Sequence, residues 1–416
     1  MANTPIEDYG LLSDRHSAAL VGRTGAVDWL CFPRFDSPAV FAALLDERAG
    51  SWSLRPVGPF EVRRHYLEGT MVLRTEFRTP HGVLALTDAL DTGPGTEVHR
   101  LGARAPHVLI RRVQGVAGSV ELAAEFRPRP EYGLVQPQFT EHPGGVFARG
   151  GADLLALSTP LAHRRDAAGM SARAELRAGD ELCLGLHWGP LDGPPPRLHP
   201  PDELRRMLRR TVASWRAWSR EHEGYRGPWQ DLVRHSGRVL QALSYQPTGA
   251  LVAAITTSLP EEAGGGRNWD YRYSWVRDAA FGMDALWVAA CPDEAMEFFA
   301  FMRDAAATDW TRSRLQIMYG VGGEHDLSER ELAHLGGWGG SGPVRVATPP
   351  GASRSWTCTG SCSTRPPASP SSWTPRTGRC GCSCPAWRTR RPPPGTPRTT
   401  ASGRSGGGHG TSCTRS

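Results

Sequence analysis

The hydrophobic period of the chain changes once, across a proline-rich segment at residues 193–201 (GPPPRLHPP). Before this segment, short apolar runs alternate with polar residues at a period of two, which is typical of strands. After it, apolar residues recur at a spacing of three and four, which predicts an amphipathic helix at residues 202–220. The sequence therefore predicts a β-rich domain at residues 1–192, a linker, and an all-α domain at residues 202–346.

The first domain is predicted to contain antiparallel strands joined by tight turns. Apolar runs flank turn-forming residues at 79–82, at 115–118, at 150–151 and at Gly179. Short strands at regular spacing are typical of an antiparallel β-sandwich. No group of catalytic side chains stands out within these strands.

The second domain is predicted to be helical. After the first helix, a second is expected at residues 229–245 and a third at residues 279–290. Cys291 and Pro292 interrupt the third pattern, and a further amphipathic run follows them directly. Two helices joined so closely form an αα-hairpin, the repeating unit of larger helical domains.

Residues 347–416 cannot form an apolar core. They contain no Leu, Ile, Val, Met, Phe or Tyr, and are dominated by Arg, Pro, Ser, Thr, Gly and Cys. Such a segment cannot bury enough apolar surface to offset its conformational entropy, so it is predicted to be disordered. Its six cysteines have spacings that fit no zinc-binding pattern, so no metal site is expected there.

The basic charge of the chain lies in the same tail. The net charge is +6, but residues 347–416 hold ten arginines and no acidic residue. Residues 1–346 therefore carry a net negative charge. Because nucleic-acid binding needs basic residues on a folded face, this distribution argues against a nucleic-acid partner.

Cysteine usage and the first residues favour a cytoplasmic protein. Cys31, Cys183 and Cys291 precede the tail and show no pairing pattern, as expected for reduced thiols. The opening MANTPIEDYG has neither a basic region nor an apolar region of a signal peptide, and no apolar run reaches membrane-spanning length. No membrane association is expected, and the sequence does not indicate an oligomeric state.

The densest group of potential ligand contacts is the segment NWDYRYSWVRDAAFGMDAL at residues 268–286. A sugar ring presents apolar faces and a rim of hydroxyls, so its site needs flat aromatic side chains and charged hydrogen-bonding groups. The segment offers these in close succession, in Trp269, Asp270, Trp275, Arg277 and Asp278. It therefore predicts a sugar-binding site. The alternative is a simple helix start, in which Asp278 is the N-cap of a buried helix.

Together with the preceding TGALVAAITTSLPEEAGGGR (residues 248–267), this motif resembles the signature of bacterial glycoside hydrolase family 15, which holds glucoamylases, glucodextranases and trehalases. The resemblance implies an (α/α)6 toroid with its site among the inter-helix loops. It also implies that Trp275, Arg277 and Asp278 line the first subsite, where the Arg/Asp pair holds the hydroxyls of the non-reducing glucose. The implied substrates are α-glucosides such as maltooligosaccharides, isomaltooligosaccharides or trehalose, and no cofactor is implied.

The N-terminal residues 6–52 resemble the trehalase-like region that precedes the catalytic domain in many bacterial members of this family. The most specific part is DWLCFPRFDS at residues 28–37. Within it, Arg34 and Asp36 have two interpretations, either contacts to a sugar or a structural salt bridge. The residues alone do not decide between them.

Residues 318–346 resemble the segment of the family that ends in Pro-Val-Arg-Val-Gly-Asn. Its acidic residues include Glu324, Glu329 and Glu331, any of which is a candidate catalytic acid. Ser328 and Glu331, however, have the spacing of a capping box ahead of a helix. We prefer this local interpretation, because the box explains the spacing by itself.

The resemblance stops after Val346, and a change of reading frame explains why. If residues 355–361 are encoded AGC TGG ACG TGT ACG GGG AGC, another phase of the same bases encodes Leu-Asp-Val-Tyr-Gly-Glu, the expected continuation of the family. The family inverts the anomeric centre with two carboxyls, and the resemblance places the acid in that string. Both catalytic glutamates are then missing, which predicts an incomplete toroid and an inactive chain with no catalytic residues.

Two functions remain open at this stage. The first is an α-glucoside hydrolase that acts by inversion in its intact form. The alternative is a non-catalytic carbohydrate-binding remnant that retains the first subsite.

Overall fold

The computed structural model describes residues 4–95, 98–166, 168–310 and 316–347. The predicted disorder of the tail falls beyond Ala347, outside the described residues.

In the described residues, fifteen strands of the first half of the chain join into one antiparallel sheet. Their bounds are Gly10–Ser13 (β1), Ala18–Val21 (β2), Ala26–Cys31 (β3), Ala39–Phe41 (β4), Ser51–Pro56 (β5), Glu61–Tyr66 (β6), Leu73–Thr79 (β7), Gly82–Leu90 (β8), Val108–Arg127 (β9), Gln138–His142 (β10), Gly145–Gly150 (β11), Asp153–Ser158 (β12), His163–Arg165 (β13), Met170–Arg177 (β14) and Glu181–Pro190 (β15). The main path of neighbouring strands runs β1-β2-β3-β5-β9-β15-β12-β11-β10. The predicted antiparallel pairing is confirmed, and the long strand β9 connects the strands into one hydrogen-bonded sheet.

Helices and short strands follow the sheet. The α-helices in the described residues are Pro201–Glu221 (α1), Gln230–Leu243 (α2), Val276–Val288 (α3) and Pro292–Trp310 (α4). The two-residue strands are Ser244–Tyr245 (β16), Ala250–Leu251 (β17), Ser274–Trp275 (β18), Met318–Tyr319 (β19), Arg330–Glu331 (β20) and Arg345–Val346 (β21). The predicted αα-hairpin is confirmed as α3 and α4, while the six-hairpin toroid stays a prediction.

Strand β9 bends where the sequence predicted a hairpin turn. Its first half pairs with β8 and β15, and its second half pairs with β5 and β14. Gly115 and Gly118 lie at the bend, and Gly179 lies opposite them, between β14 and β15. Because residues 115–118 lie inside the continuous strand β9, the turn predicted there is wrong. A turn does form at Gly179, where the Asp180 N–H donates to the Arg177 carbonyl oxygen at 3.0 Å, but it links two strands that both pair with β9 and not with each other. Glycines permit a strand bend as readily as a hairpin turn. The turns at 79–82 and 150–151 are confirmed.

Helix α1 packs on the sheet, although the sequence placed it in the helical domain. Leu204, Met207 and Leu208 share a buried cluster with Val108 of β9 and Cys183 of β15. The boundary proposed at residues 193–201 therefore separates two kinds of secondary structure within one packed unit.

A second core joins the N-terminal strands to the helical segment. Trp29, Phe35 and Tyr132 lie in it with Val276 of α3 and Phe298 of α4. The indole Nε1 of Trp29 also donates to the carbonyl oxygen of Ile255 at 2.7 Å. The motif at residues 268–278 thus stands on the N-terminal region and not on the helices alone.

The three cysteines that precede the tail, Cys31, Cys183 and Cys291, are free and buried. Burial raises the pKa of Cys31 to about 12 and that of Cys183 to about 11. Because the thiolate is the reactive form, these two thiols are poor nucleophiles at neutral pH. In the described residues, no helix has the length and apolar character needed to cross a membrane.

The bend in β9 gives a test of the sheet. Gly118 has a φ of +66°, and a Cβ there would lie 2.0 Å from the carbonyl oxygen of His81. Gly179 has a φ of +96°, but a Cβ there would meet no atom within 4 Å. We expect Gly118→Ala to lower the free energy of unfolding by at least about 3 kcal/mol, because backbone must move. Gly179→Ala should cost about 1–2 kcal/mol, the conformational penalty alone. Urea unfolding measures both, and equal losses would contradict the packed bend.

Candidate functional site

The central motif runs from a buried loop through β18 into α3. Strand β18 pairs antiparallel with β19, which fixes the direction in which the chain enters the helix. Trp275 occupies the position before α3 and makes no side-chain cap, while Asp278 lies in the first helical turn. The N-cap interpretation of Asp278 is therefore wrong, because the helix begins two residues earlier, at Val276. A carboxylate in the first turn still complements the helix dipole.

A buried ion pair anchors this motif. Arg272 Nε lies 2.9 Å from Asp270 Oδ1, and its Nη2 lies 2.7 Å from Oδ2, with both side chains wholly buried. Arg272 Nη1 donates to the carbonyl oxygen of Ser37 at 2.9 Å. Burial works against the charge of Arg272, but the neighbouring Asp270 raises the pKa of this guanidinium. The pair ties the motif to the N-terminal segment at residues 28–37.

Asp270 consequently exposes no atom that a sugar could contact. Its Oδ2 also accepts from the backbone N–H of Ala347 at 3.0 Å. The predicted contact between Asp270 and a substrate is therefore wrong for this structure, because the carboxylate is fully enclosed and already hydrogen-bonded. Its effect on a ligand is indirect, through the position of the loop.

Trp269 is covered on one face. The guanidinium carbon of Arg345 lies 5.2 Å from the centroid of its ring, a cation–π contact. Arg345 in turn lies 3.3 Å from Glu329 and 3.9 Å from Glu331. Trp269 thus packs against strand β21, and its predicted sugar contact is limited to the surface that Arg345 leaves free.

The capping box predicted at Ser328 and Glu331 is also wrong. Glu331 lies in β20, where it pairs with Arg345 of β21, and no α-helix follows it among the described residues up to 347. The Ser328 hydroxyl donates to Asp326 at 2.6 Å. Strand pairing between residues fourteen positions apart, and not the local capping-box spacing, determines the structure at Glu331.

Trp275, Arg277 and Asp278 form an open cluster with Tyr271. Arg277 Nε donates to Asp278 Oδ1 at 2.9 Å, and its guanidinium carbon lies 5.5 Å from the Trp275 ring centroid. The rings of Tyr271 and Trp275 lie 6.4 Å apart at 32°. The side chains of Arg277 and Asp278 are 65% and 43% exposed, so their polar atoms are available to a ligand. Within the described residues, the buried Trp275 Nε1 has no hydrogen-bond acceptor.

Arg34 and Asp36 form a structural salt bridge, the second of the two predicted interpretations. Arg34 makes two hydrogen bonds of 2.8 Å to the Asp36 carboxylate and a third of 2.8 Å to Glu324 Oε1. Its guanidinium lies 5.7 Å from the ring centroid of Tyr245. Partial burial opposes the charge, but the hydrogen bonds to the two carboxylates raise the pKa of Arg34. Arg34 and Glu324 are about one-third and two-fifths exposed, so this group also reaches the surface.

The structure thus places the predicted site residues in three settings. Trp275, Arg277 and Asp278 lie together, Arg34 and Asp36 lie with Glu324, and Asp270 is internal. Sequence reasoning missed the role of Glu324 as a partner of Arg34. The Arg34–Glu324 contact joins residues 290 positions apart, so no local spacing signals it.

A cavity of 460 Å³ lies elsewhere, between α1 and the sheet. Its lining includes Thr87, Leu208 and four arginines, namely Arg112, Arg209, Arg216 and Arg220. None of the residues of the central motif lines it. The open Trp275 cluster, and not this cavity, carries the sugar-type side chains.

Two models of known families match parts of the chain. The family model described as trehalase-like, N-terminal, matches residues 1–206, and the model of glycosyl hydrolases family 15 matches residues 227–350. The second match contains the whole motif. The chain joins a trehalase-like N-terminal region to a segment similar to glycosyl hydrolases family 15, as the sequence resemblance implied.

Trehalases are among the similar curated proteins. The trehalase of Mycolicibacterium smegmatis is 39% identical over 362 residues, covering 82% of this chain and 53% of the relative. The trehalase of Mycobacterium tuberculosis is 38% identical over 361 residues, covering 82% and 52%. That of Thermoplasma volcanium is 31% identical over 351 residues, covering 82% and 53%. The chain spans about half the length of the curated relatives it matches.

Two arginines of this motif, one buried and one exposed, allow the contribution of an arginine to stability to be tested apart from its contact with a ligand. We expect Arg272→Leu to lower the free energy of unfolding by about 3–5 kcal/mol, because it leaves the buried Asp270 without its counter-charge. The matched control Arg277→Leu removes an exposed guanidinium and should change stability by less than about 0.5 kcal/mol. Chemical denaturation of both variants measures the difference. Equal stabilities would contradict the anchoring role of the Asp270–Arg272 pair.

Proposed function

We propose that the chain is an α-glucoside-recognising member of family 15, and that its intact form hydrolyses α-glucosides with inversion at the anomeric centre. The observation that carries the proposal is the exposed cluster of Tyr271, Trp275, Arg277 and Asp278. It combines two aromatic rings with an adjacent Arg/Asp pair on a rigid helix start.

The chemistry of the cluster fits a glucose unit. The aromatic faces of Tyr271 and Trp275 suit the apolar C–H surface of the ring. Asp278 accepts hydrogen bonds from sugar hydroxyls, while Arg277 donates them in the fixed geometry of a guanidinium. Holding the non-reducing glucose is the role that the family resemblance implies for these residues.

Trehalose is the favoured substrate. The N-terminal match is to a trehalase-like region, and the similar proteins above are named trehalases. Maltooligosaccharides and isomaltooligosaccharides remain the alternatives, because the cluster contacts one glucose unit and that unit is common to all of them.

We also propose that this chain binds without hydrolysing. Inversion needs a carboxylic acid and a second carboxylate roughly 6.5–9.5 Å apart, with a water between them. Of the acidic residues near the motif, Asp278 and Glu324 are each engaged by an arginine, at 2.9 and 2.8 Å. The catalytic acid belongs to the Asp-Val-Tyr-Gly-Glu string encoded in the alternative phase after Val346, which the sequence as given lacks.

The helical segment is best explained as the start of the (α/α)6 toroid. Phe281 and Val288 of α3 are 73% and 52% exposed, Met296 of α4 is 44% exposed, and Leu232 of α2 is 61% exposed. Large apolar side chains on several adjacent helices normally pack against further structure. Additional hairpins would cover them.

The test is trehalose binding by isothermal titration calorimetry, with glucose release measured on the same samples. We expect 1–416 to bind trehalose and release no glucose. Arg277→Leu and Asp278→Asn should each weaken binding about tenfold or more, since a hydrogen bond to a charged group contributes about 1.5–3 kcal/mol.

A matched control is available on helix α4. Arg303 and Asp304 form the same kind of adjacent exposed pair, at 2.7 Å with 64% and 66% exposure. Arg303→Leu should leave binding unchanged. Absence of trehalose binding by the parent, or an equal loss in Arg303→Leu, would contradict the site. Turnover by 1–416 would overturn the non-catalytic part alone.

A further inference from the structure

A compact group of potential metal ligands lies where three segments meet, apart from the sugar motif. His99 belongs to the three-residue 3-10 helix Val98–Arg100, His222 directly follows α1, and Glu294 lies in the first turn of α4. One donor atom from each lies within 4.8 Å of the other two. Residues so far apart in sequence give no local metal-binding signature.

The orientation of His222 is fixed by its surroundings. Its Nδ1 lies 2.7 Å from the carbonyl oxygen of Trp218, and its ring stacks on the Trp218 indole at 4.2 Å. Because a carbonyl oxygen only accepts hydrogen bonds, Nδ1 must carry the proton. In a neutral imidazole the lone pair then sits on Nε2, which lies 3.2 Å from Glu294 Oε2. This is the arrangement of a metal-bound histidine, whose second nitrogen donates to a backbone carbonyl.

Glu294 supplies a buried carboxylate beside His222. Its side chain is 3% exposed, and Oε1 accepts from Trp218 Nε1 at 2.7 Å. Oε2 makes no hydrogen bond within the described residues and lies 3.2 Å from His222 Nε2, where a protonated imidazole would form an ion pair with it. With His222 neutral, a cation between Oε2 and Nε2 offsets the cost of burying the carboxylate.

His99 completes the group from the solvent side. Its side chain is 49% exposed, and its ring lies 6.1 Å from that of His222 at 85°. Asp293, next to Glu294, lies 3.3 Å from His99 Nδ1 and adds negative charge at the rim. The exposed edge provides an access path and a place for water as a fourth ligand.

We propose that His99, His222 and Glu294 bind one divalent transition-metal ion, with Zn²⁺ as the best match. Two imidazoles, one carboxylate and a water form an accepted zinc ligand set. Around zinc, with bonds of about 2.0–2.2 Å, the donor atoms lie within roughly 3.5 Å of one another. A side-chain rotation of the exposed His99 suffices to close the set. The ion cross-links the N-terminal region, the end of α1 and the α3–α4 hairpin.

The test is zinc binding by the full chain after its reactive thiols are capped with iodoacetamide, so that adventitious binding to the thiols of the six tail cysteines is not counted. Equilibrium dialysis with elemental analysis should give one zinc per chain. His99→Asn changes an exposed side chain, so the fold should persist, and it should weaken zinc binding at least tenfold. His81→Asn, an exposed histidine in the β7–β8 turn, is the matched control and should bind like the parent.

A second readout is thermal unfolding with and without ZnCl₂. A ligand that binds only the folded state raises its stability, so zinc should raise the Tm of the parent and of His81→Asn but not of His99→Asn. Glu294→Gln, checked for folding by circular dichroism, should lose the same response. No bound zinc in the capped parent, or equal binding by His99→Asn, would overturn the site and leave an imidazolium–carboxylate pair as the explanation.

Discussion

The buried pair of Asp270 and Arg272 is the interaction on which the arrangement of the motif depends. Removing two charges from water is costly, and only good geometry with further hydrogen bonds offsets that cost. Here two bonds join the pair, Ser37 accepts a third, and the Arg272 guanidinium lies 5.9 and 5.5 Å from the rings of Trp29 and Tyr132. These contacts exist only when the N-terminal region and the motif fold together. The two family segments are therefore mutually dependent.

Burial separates two tasks within a single short stretch. Asp270 and Arg272 are fully enclosed, whereas Arg277 and Asp278 are largely exposed, although the residue types are the same. The first pair holds the loop, and β18 then directs the chain into α3, where the second pair faces solvent. An arginine–aspartate pair in a sequence thus has no fixed role. Its surroundings decide whether it anchors the backbone or meets a ligand.

Local patterns predicted those elements whose stabilising contacts are local. The period of three and four located α1, α2 and the α3–α4 hairpin, and paired apolar runs located the β7–β8 and β11–β12 hairpins. The same reasoning failed at Gly115 and Gly118, because glycines occur in a strand bend, such as that of β9, as readily as in a hairpin turn. It failed at Glu331 because pairing with Arg345 is set by tertiary structure. The sequence predicted sugar contacts for Asp270 as well as for Trp275, Arg277 and Asp278. Only the structure shows that Asp270 is fully buried, whereas Arg277 and Asp278 reach the surface.

Ligand binding and acid catalysis need different environments around a carboxylate, and the environment of Asp278 differs from that of a general acid. A general acid in a glycosidase is kept protonated by an apolar setting, away from cations. Asp278 lies instead in the first turn of α3, 43% exposed, and accepts a hydrogen bond of 2.9 Å from the Arg277 guanidinium. The same surroundings make it a good partner for sugar hydroxyls. The surroundings of Asp278 therefore suit a hydrogen-bond acceptor for a ligand and not a general acid.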